Sequence, residues 1–443
     1  MSELETLTLD DGARIVVSTN PVGMTRFVLR EQGQWFEPEL PFLQQVVAAG
    51  ARSIDVGANH GLYTVALGRA SHPGGEVIAV EPTPATAACL RATIEANEMA
   101  AQVKELALSD APGTATLHAY PNSEINTLGR AGIKPGAVEH EVTVSTLDQL
   151  MADLGWTSLD FLKLDAEGEE VPIVEGAAET LAGSDPLVLF ELKHGGDLNL
   201  PLIRAFENAG YASYRLVPEL GALLPFDPAA RIDRFQLNLF CCKPSRAEAL
   251  KAAGLLVSPA ASAKLPQQAP ELPWASGLTE PEGADREIFR ACAVDADPRA
   301  GVEERWAGLN AVRAALAQKA GDQAGPMELA ATASRAAFTV GERGLGVTLL
   351  GNLIRRLQGG EKFSPRHLYY PPARRFDHIP APDDPRDWFV ASALERYLKE
   401  HAFSTYFSRS NSAAMLRYLG ELGFADDHLK RRADALAALQ QTG

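Results

Sequence analysis

One stretch of the chain has the residue types and spacing that suit the binding of a nucleotide-like cofactor. A short β-branched strand leads into a helix through a pattern that alternates acid, glycine and amide positions, Asp55-x-Gly57-x-Asn59-x-Gly61. The glycines let the backbone come close to a ligand at the helix N-terminus, where free N–H groups attract negative charge. The pattern therefore predicts a cofactor cradle.

A carboxylate at the end of the next predicted strand indicates which kind of cofactor the cradle binds. Glu81 lies about 20 residues beyond Gly61, and an acid at this distance can accept both hydroxyls of a ribose. The cradle departs from the G-x-G-x-x-G pattern of dinucleotide-binding proteins, because an acid leads it and Asn59 stands at its middle position. An adenosine group is therefore predicted, and a nicotinamide-dependent oxidoreductase remains the weaker alternative.

A second stretch, Leu159–Glu170, places charged residues in an apolar strand. Strand alternation puts Lys163 and Asp165 on one side. Charged side chains are rarely buried in a strand without a partner, so the two form either a structural ion pair or part of a site. Their position beside the predicted cofactor edge favours a site. The next strand leads to further polar residues on the same rim, Glu191 and His194.

Five segments carry a resemblance to a known family: Asp55–Thr64, Val80–Pro84, Leu108–Asp110, Thr146–Asp148 and Phe161–Glu169. Together, and in this order, they resemble the FkbM-type family of S-adenosylmethionine-dependent methyltransferases. The similarity runs from about Trp35 to Lys243, roughly half the chain. The resemblance implies that S-adenosylmethionine is the cofactor.

The cradle and the resemblance together give the expected cofactor-binding residues, Asp55, Gly57, Asn59, Gly61, Tyr63, Glu81, Ser109 and Asp110. In the family, the Ser-Asp pair lines the adenine pocket, which would let Asp110 accept from the adenine amino group. The alternative is that Ser109 and Asp110 only form a turn. A segment such as Trp35-Phe36 lies over the cofactor in that family, and core packing is the alternative for these two residues.

Methyl transfer to a hydroxyl needs a group that removes the hydroxyl proton. The predicted catalytic residues are Asp165, Glu167, Lys163 and His194. The two acids and the histidine are candidates for the base, and Lys163 is expected to hold Asp165 charged. Glu167 has an alternative role, since an acid in the first turn of a helix stabilises the helix dipole. Asp165, Glu167 and Glu191 offer oxygen ligands for Mg²⁺, but their spacing does not require one, so no metal is predicted.

Alternation of strands and helices from Arg52 onwards predicts an α/β fold whose parallel sheet has helices on both faces. With the resemblance, residues 35–245 are expected to form a Rossmann-like, seven-stranded methyltransferase sheet whose last strand is antiparallel. Weak alternation in residues 1–34 predicts an N-terminal β-hairpin. A long polar loop, 121–139, is expected to be a lid over the acceptor.

The composition and periodicity of the remaining residues predict a second, all-α domain. Residues 246–285 are rich in Ala, Pro and Ser and are typical of a linker. Residues 286–443 carry helical periodicity over a length usual for a domain. Its role is open, and oligomerisation is one possibility. Within it, 363–376 concentrates Tyr, Arg and His, and packing is favoured there over a sugar- or phosphate-binding surface.

Composition argues against several classes of protein. A formal net charge of −16 disfavours a nucleic-acid partner, which needs a clustered basic surface. No apolar run approaches the roughly 20 residues of a membrane helix, and the N-terminal residues lack the basic and apolar regions of a signal peptide. A cytoplasmic location and no membrane span are expected. The four cysteines show neither metal-type spacing nor a disulfide framework.

These observations predict an S-adenosylmethionine-dependent O-methyltransferase whose acceptor is a hydroxyl of a sugar, a glycoconjugate or a related small molecule. The methyltransferase activity is implied by both the site residues and the resemblance, whereas the glycan acceptor rests on the resemblance alone. A different class stays open: a non-catalytic protein that binds the cofactor while its helical domain recruits a partner.

Overall fold

The computed structural model describes residues 3–19, 23–120, 126, 128, 136–194, 197–260, 265–319 and 325–441. Most of the predicted lid loop, 121–139, lies outside these residues. The chain forms two compact units, each built from more than one segment. The first contains Met1–Arg215, Pro225–Ala230 and Gln236–Leu255, and the second contains Leu216–Leu224, Arg231–Phe235 and Leu256–Gly443.

The N-terminal segment is only partly the predicted β-hairpin. Strands β1 (Leu4–Thr8) and β2 (Arg14–Ser18) pair antiparallel, but helices α1 (Met24–Gln32) and α2 (Glu39–Val46) follow. The hairpin expected over residues 1–34 therefore ends at Ser18. The α1 segment is helical because its apolar residues bury one face of a helix and Gly33, at φ 69°, ends it in the left-handed conformation.

The rest of the first unit alternates strands and helices. In chain order these are β3 (Arg52–Val56), α3 (Leu62–Ala70), β4 (Glu76–Val80), α4 (Pro84–Ala96), β5 (Ala101–Lys104), β6 (Ala107–Leu108), β7 (Gly113–Ala119), β8 (Val138–Ser145), α5 (Leu147–Leu154), β9 (Phe161–Leu164), α6 (Glu170–Glu175), α7 (Ala178–Gly183), β10 (Leu187–Glu191), β11 (Lys193–His194), β12 (Asp197–Leu198), α8 (Leu200–Asn208), β13 (Ala212–Val217), β14 (Ala222–Pro225), β15 (Asn238–Cys242) and α9 (Pro244–Ala252).

The main sheet has the strand order β14-β13-β15-β10-β9-β3-β4-β5. Strands β10, β9, β3, β4 and β5 run parallel, and β15 runs antiparallel to β10 and β13. The seven strands from β13 to β5 confirm the predicted sheet, including its antiparallel last strand, and β14 adds an eighth. The parallel strands β3, β4 and β9 are buried over most of their length, and they carry the charged residues Asp55 and Lys163 among apolar ones.

The order of the strands positions a site at one edge of this sheet. The chain runs from β3 outwards to β4 and β5 on one side, and to β9 and β10 on the other. In open α/β sheets, ligands bind beyond the carboxyl ends of the strands at such a switch point. The residues that follow β3, β4, β9 and β10 therefore meet there, as the sequence predicts.

The second unit is helical over most of its length. Its helices are α10 (Gly283–Ala296), α11 (Val302–Ala311), α12 (Arg313–Lys319), α13 (Met327–Thr339), α14 (Arg343–Gln358), α15 (Arg386–Glu400), α16 (Arg409–Glu421) and α17 (Asp427–Gln441), with 3-10 turns at Arg374–His378 and Thr405–Phe407. Tyr369, Tyr370 and Phe376 are buried, and Phe363 stacks on Phe389, so the aromatic residues of 363–376 pack within the unit.

The compact units divide the chain at other points than the predicted bounds 35–245, 246–285 and 286–443. Helix α9 occupies the start of the predicted linker, and Leu256 and Val257 beyond it are buried. Residues 216–224 group with the second unit, although they precede β15 of the first. Among the helices of the described ranges, none is long and apolar enough to cross a membrane.

Candidate active site

The turn from β3 to α3 is built on glycines that no larger residue could replace without strain. Gly57 has φ 72°, and a Cβ placed on it would lie 1.7 Å from the backbone oxygen of Asp165. The N–H groups of Gly57 and Ala58 both donate to the carbonyl of Val80, at 3.0 Å. Gly61, at φ 92°, precedes α3. These contacts hold the ends of β3, β4 and β9 together at the predicted cradle.

Glu81 is anchored at the end of β4 by two backbone donors. Its carboxylate accepts from the N–H of Asn59 at 3.1 Å and from the N–H of Thr83 at 2.9 Å. Asn59 takes a left-handed conformation, φ 47°, which an asparagine tolerates better than most residues. Burial raises the pKa of Glu81, and its bond to the Thr83 N–H opposes that effect. Glu81 is therefore fixed with its carboxylate at the cavity wall.

Asp55 stabilises the cradle through a contact between β3 and α3. It is fully buried, and its Oδ2 accepts from the hydroxyl of Thr64 in α3 at 2.6 Å. Burial raises the pKa of Asp55, although Lys163 and Thr64 act in the opposite direction. Asp55 is not among the residues lining the cavity described below. It ties the end of β3 to the start of α3, so its contribution to cofactor binding remains a prediction.

A cavity of about 280 Å³ opens beside these residues at the carboxyl edge of the sheet. The predicted residues Gly57, Asn59, Tyr63, Glu81 and Lys163 line it, as do Asp165 and Glu167. One wall is apolar and is formed by Leu106, Ala107, Leu108 and Leu117. Trp35 and Phe36 also line it, which agrees with a position over the cofactor. The structure thus brings most of the predicted site residues to one cavity.

Ser109 and Asp110 lie outside the cavity lining. The chain leaves β5 and re-forms as β6, so it is Leu106–Leu108 that reach the cavity wall. The Ser109 hydroxyl donates to Glu169 at 3.1 Å and to Asp110 at 3.2 Å, and Asp110 is exposed. The structure does not bring this pair to the adenine side of the cavity, and the predicted adenine contact has no support from these distances.

Lys163 and Asp165 form an ion pair at the carboxyl ends of the parallel strands. The ammonium Nζ lies 2.9 Å from Asp165 Oδ2 and 3.3 Å from the carbonyl oxygen of Gly57. It also lies 5.2 Å from the ring centroid of Tyr63. Burial alone would lower the pKa of Lys163, but the charges of Asp165 and Asp55 outweigh burial and raise it. These charges favour the protonated form of Lys163, which links Gly57 of the cradle to Asp165 after β9.

Acidic residues surround the end of the cavity beyond this ion pair. Glu191, at the end of β10, has a pKa raised to about 10, first by burial and then by the charges of Asp165 and Glu167. Glu167 has a left-handed backbone, φ 50°, in the turn before α6. The backbone of His194 lies in β11, but its side chain is outside the described part of the structure, so its role stays a prediction.

Two residues of the cavity are absent from the sequence-based set. Glu37 accepts a hydrogen bond from the Tyr63 hydroxyl, and burial raises its pKa. His60, in the β3–α3 turn, has a buried Nδ1 without a hydrogen-bond partner, and burial lowers its pKa to about 4. The signal for His60 is its position inside the cradle pattern, whereas Glu37 has no local signal because only the fold brings it to Tyr63.

The donor set does not form a metal site in the described ranges. No three His, Cys, Asp or Glu side chains there are grouped so that they could hold a metal ion.

A parallel sheet with an antiparallel last strand, and a cavity at its carboxyl edge, is the arrangement expected of an S-adenosylmethionine-dependent methyltransferase. Residues 55–213 match the family model described as Methyltransferase FkbM domain. The chain therefore contains a methyltransferase domain of the FkbM type, and its cofactor is S-adenosylmethionine.

Individual proteins to which the chain is similar include two methyltransferases and one solved structure. The 31-O-demethyl-FK506 methyltransferase FkbM of Streptomyces tacrolimicus is 27% identical over 206 residues, which are 40% of this chain and 76% of that protein. Methyltransferase sdnD of Sordaria araneosa is 28% identical over 156 residues, 28% of this chain and 60% of that protein. A solved O-methyltransferase of Thermotoga maritima is 14% identical and overlaps with a TM-score of 0.28, covering 54% of this chain and 77% of its own.

The cavity residues fit this cofactor. Glu81 is held in the position of a ribose acceptor, the apolar wall suits an adenine ring, and the buried, unpartnered Nδ1 of His60 is available to a ligand. The carboxyl groups of Glu37, Asp165 and Glu167 also line the cavity, and negative charge there suits a positively charged sulfonium. When bound, the cofactor supplies an electrophilic methyl group.

Proposed function

We propose that the protein is an O-methyltransferase that acts on a hydroxyl of a sugar, a glycoconjugate or a related small molecule. Glu81, Asn59 and Gly57 would hold the cofactor, and the acceptor would lie at the end of the cavity beyond Lys163. The protein contributes orientation, exclusion of water and removal of the acceptor proton.

The observation that carries this proposal is the cluster of carboxylates at the acceptor end of the cavity. A hydroxyl must lose its proton when its oxygen is methylated, and a carboxylate within hydrogen-bond reach is a suitable base. Glu37, Asp165, Glu167 and Glu191 all line the cavity. Burial, followed by the charges of Asp165 and Glu167, raises the pKa of Glu191 and favours uptake of a proton there.

Oxygen as the methylated atom is also supported by the comparisons. The name of the relative from Streptomyces tacrolimicus, a 31-O-demethyl-FK506 methyltransferase, specifies a demethylated oxygen on its substrate. For this chain, the sugar or glycoconjugate character of the acceptor rests on the resemblance found in the sequence.

The test is a transfer assay with cofactor carrying a ¹³C-labelled methyl group. The purified chain would be incubated with monosaccharides, glycosides and hydroxylated macrocycles, alongside matched amines. We expect a labelled methyl ether, identified by mass and by the NMR shift of its methyl carbon, together with S-adenosylhomocysteine. Label found only on nitrogen or carbon would contradict the proposal.

A Glu81→Ala variant provides the control. It should lose transfer together with cofactor affinity, because the variant removes the acid expected to hold the ribose. Cofactor binding by the wild type without transfer to any compound would instead favour the non-catalytic binding protein.

A further inference from the structure

The group that takes the acceptor proton can be assigned from the contacts around Glu37. This residue lies between α1 and α2, in the segment that carries Trp35 and Phe36, and it lines the cavity. Its Oε2 accepts a hydrogen bond from the hydroxyl of Tyr63, near the start of α3, and the side chain of Trp35 also donates to it. Two side-chain donors therefore orient the Glu37 carboxylate.

Tyr63 connects Glu37 to the point where methyl transfer is expected. Its ring centroid lies 5.2 Å from the ammonium of Lys163, which contacts the carbonyl of Gly57 in the cradle and the carboxylate of Asp165. Tyr63 therefore links Glu37 to Lys163 within the cavity.

Two other acids that line the cavity are less suited to accept the proton. Glu191, with its pKa near 10, already carries a proton at neutral pH. Asp165 is held in an ion pair with Lys163, which uptake of a proton would break. The charged or titratable groups that act on Glu37 come from four elements and are Tyr63, Lys163, Asp165, Glu39 and Glu191.

We propose that Glu37 is the general base of the reaction and that Tyr63 is the positioning residue that holds it. This inference rests on the proposed function, because only a hydroxyl acceptor needs such a base. As the acceptor O–H bond breaks, its proton moves to a Glu37 oxygen. The electron pair remains on the acceptor oxygen and forms its bond to the methyl carbon, and the methyl–sulfur bond breaks with its electron pair left on sulfur.

The test uses two cofactor analogues and needs no acceptor. Sinefungin places a charged amine where the transferred methyl group would be, whereas S-adenosylhomocysteine has a neutral sulfur there. Calorimetric titration at pH 7.5 would give the ratio of their dissociation constants. If Glu37 faces this point, Glu37→Gln should reduce the preference for sinefungin about tenfold, the usual weight of one charge-assisted hydrogen bond. Binding of S-adenosylhomocysteine should change less than about twofold.

Tyr63→Phe tests the positioning role by its pH dependence. Loss of the hydroxyl donor removes a bond that favours the charged carboxylate, so the pKa of Glu37 should rise. The pH below which sinefungin loses its advantage over S-adenosylhomocysteine should therefore move upwards in Tyr63→Phe. A profile identical to that of the wild type would refute the role given to Tyr63.

Glu39→Gln is the matched control, because Glu39 is a buried acid two residues away that does not line the cavity. An unchanged preference in Glu37→Gln, or an equal loss in Glu39→Gln, would overturn the assignment of Glu37. Methyl-ether formation that continues in the transfer assay would show that only this inference had failed. If the wild type binds neither analogue, both the cofactor assignment and the role of Glu37 fall.

Discussion

Burial raises the pKa of the acidic residue Glu39, which lies near the active site in the chain. Glu39, in α2, is buried with its Oε2 lacking a hydrogen-bond partner. Burial, followed by the charge of Glu37, raises its pKa to about 8. In the unfolded chain a glutamate titrates near 4.5. Between these two values the folded state therefore holds a proton that the unfolded state does not.

The sign of the resulting pH dependence follows from this difference. The contribution of Glu39 to stability is complete below about pH 4.5 and is lost as the pH rises towards 8. Glu39→Gln cannot ionise, so its free energy of unfolding should fall less steeply than that of the wild type over this range. The difference in slope should not exceed about 1.4 kcal/mol per pH unit. Urea denaturation at pH 5.5, 7 and 8.5 would measure it.

The exposed acid Glu95 on α4 gives the control for this prediction. Glu95→Gln should show the wild-type slope. Equal slopes for Glu39→Gln and the wild type would mean that Glu39 is ionised in the folded protein at neutral pH.

At the scale of elements, the turn between β3 and α3 sets the geometry of the cradle. Gly57→Ala combines a left-handed backbone with a Cβ 1.7 Å from the Asp165 oxygen, so the ends of β3 and β9 would have to separate. We expect a loss of about 3 kcal/mol or more in the free energy of unfolding and loss of S-adenosylhomocysteine binding. Chemical denaturation and calorimetry would measure these two effects.

Gly12→Ala separates the two causes. Gly12 has φ 80°, but no atom lies within 4 Å of a Cβ placed on it. This variant should lose only the roughly 1–2 kcal/mol of the left-handed conformation and retain full binding. Equal losses in both variants would show that the close approach to Asp165 is unimportant.

The second unit contains a buried ion-pair network that holds the 216–224 segment. Glu219 accepts from Arg374 Nε at 3.0 Å, from Arg396 and from Thr339. Burial would raise the pKa of Glu219, but Arg396 and Arg374 lower it below its usual range. Glu219→Gln keeps the shape but leaves two arginines with less negative charge, and we expect a loss of about 3 kcal/mol in the free energy of unfolding.

The depressed pKa fixes how this loss varies with pH. The stabilisation by Glu219 is complete above its unfolded pKa near 4.5 and decreases as the pH falls through the lower folded value. The gap between the wild type and Glu219→Gln should therefore narrow in acid. Denaturation at pH 7 and pH 3.5 would show this, with exposed Glu303→Gln as the control. A gap independent of pH would rule out an electrostatic origin.

Local pattern decides which of these elements could be predicted from the sequence. The cradle and Glu81 were predictable because strand, turn and helix signals surround them within a short segment. Glu37 was not, since its role depends on contact with Tyr63, on another element. No sequence signal marks the break between β5 and β6, after which Leu106, Ala107 and Leu108 line the cavity in place of Ser109 and Asp110. Helix α1 was missed because weak alternation concealed its buried face.

At the scale of the whole molecule, segments of the two compact units alternate along the sequence. Val217, Leu220 and Ala222 precede β15 of the first unit, yet they are buried in a core cluster with Phe289 and Trp306 of the second. Because of this arrangement, a cut near residue 245 or 255 separates those apolar side chains from the residues that bury them.

We therefore expect a fragment of residues 1–255 to be less stable than the full chain, even though it contains the whole cofactor cavity. Loss of burial for three apolar side chains costs roughly 1–2 kcal/mol each, which should lower the thermal midpoint by about 10 °C and promote association. Thermal denaturation and size-exclusion chromatography would measure both. The same fragment with Leu220→Asn should associate less, since the exposed apolar surface is the cause. A monomeric fragment with the midpoint and S-adenosylhomocysteine affinity of the full chain would show that the first unit folds without the second.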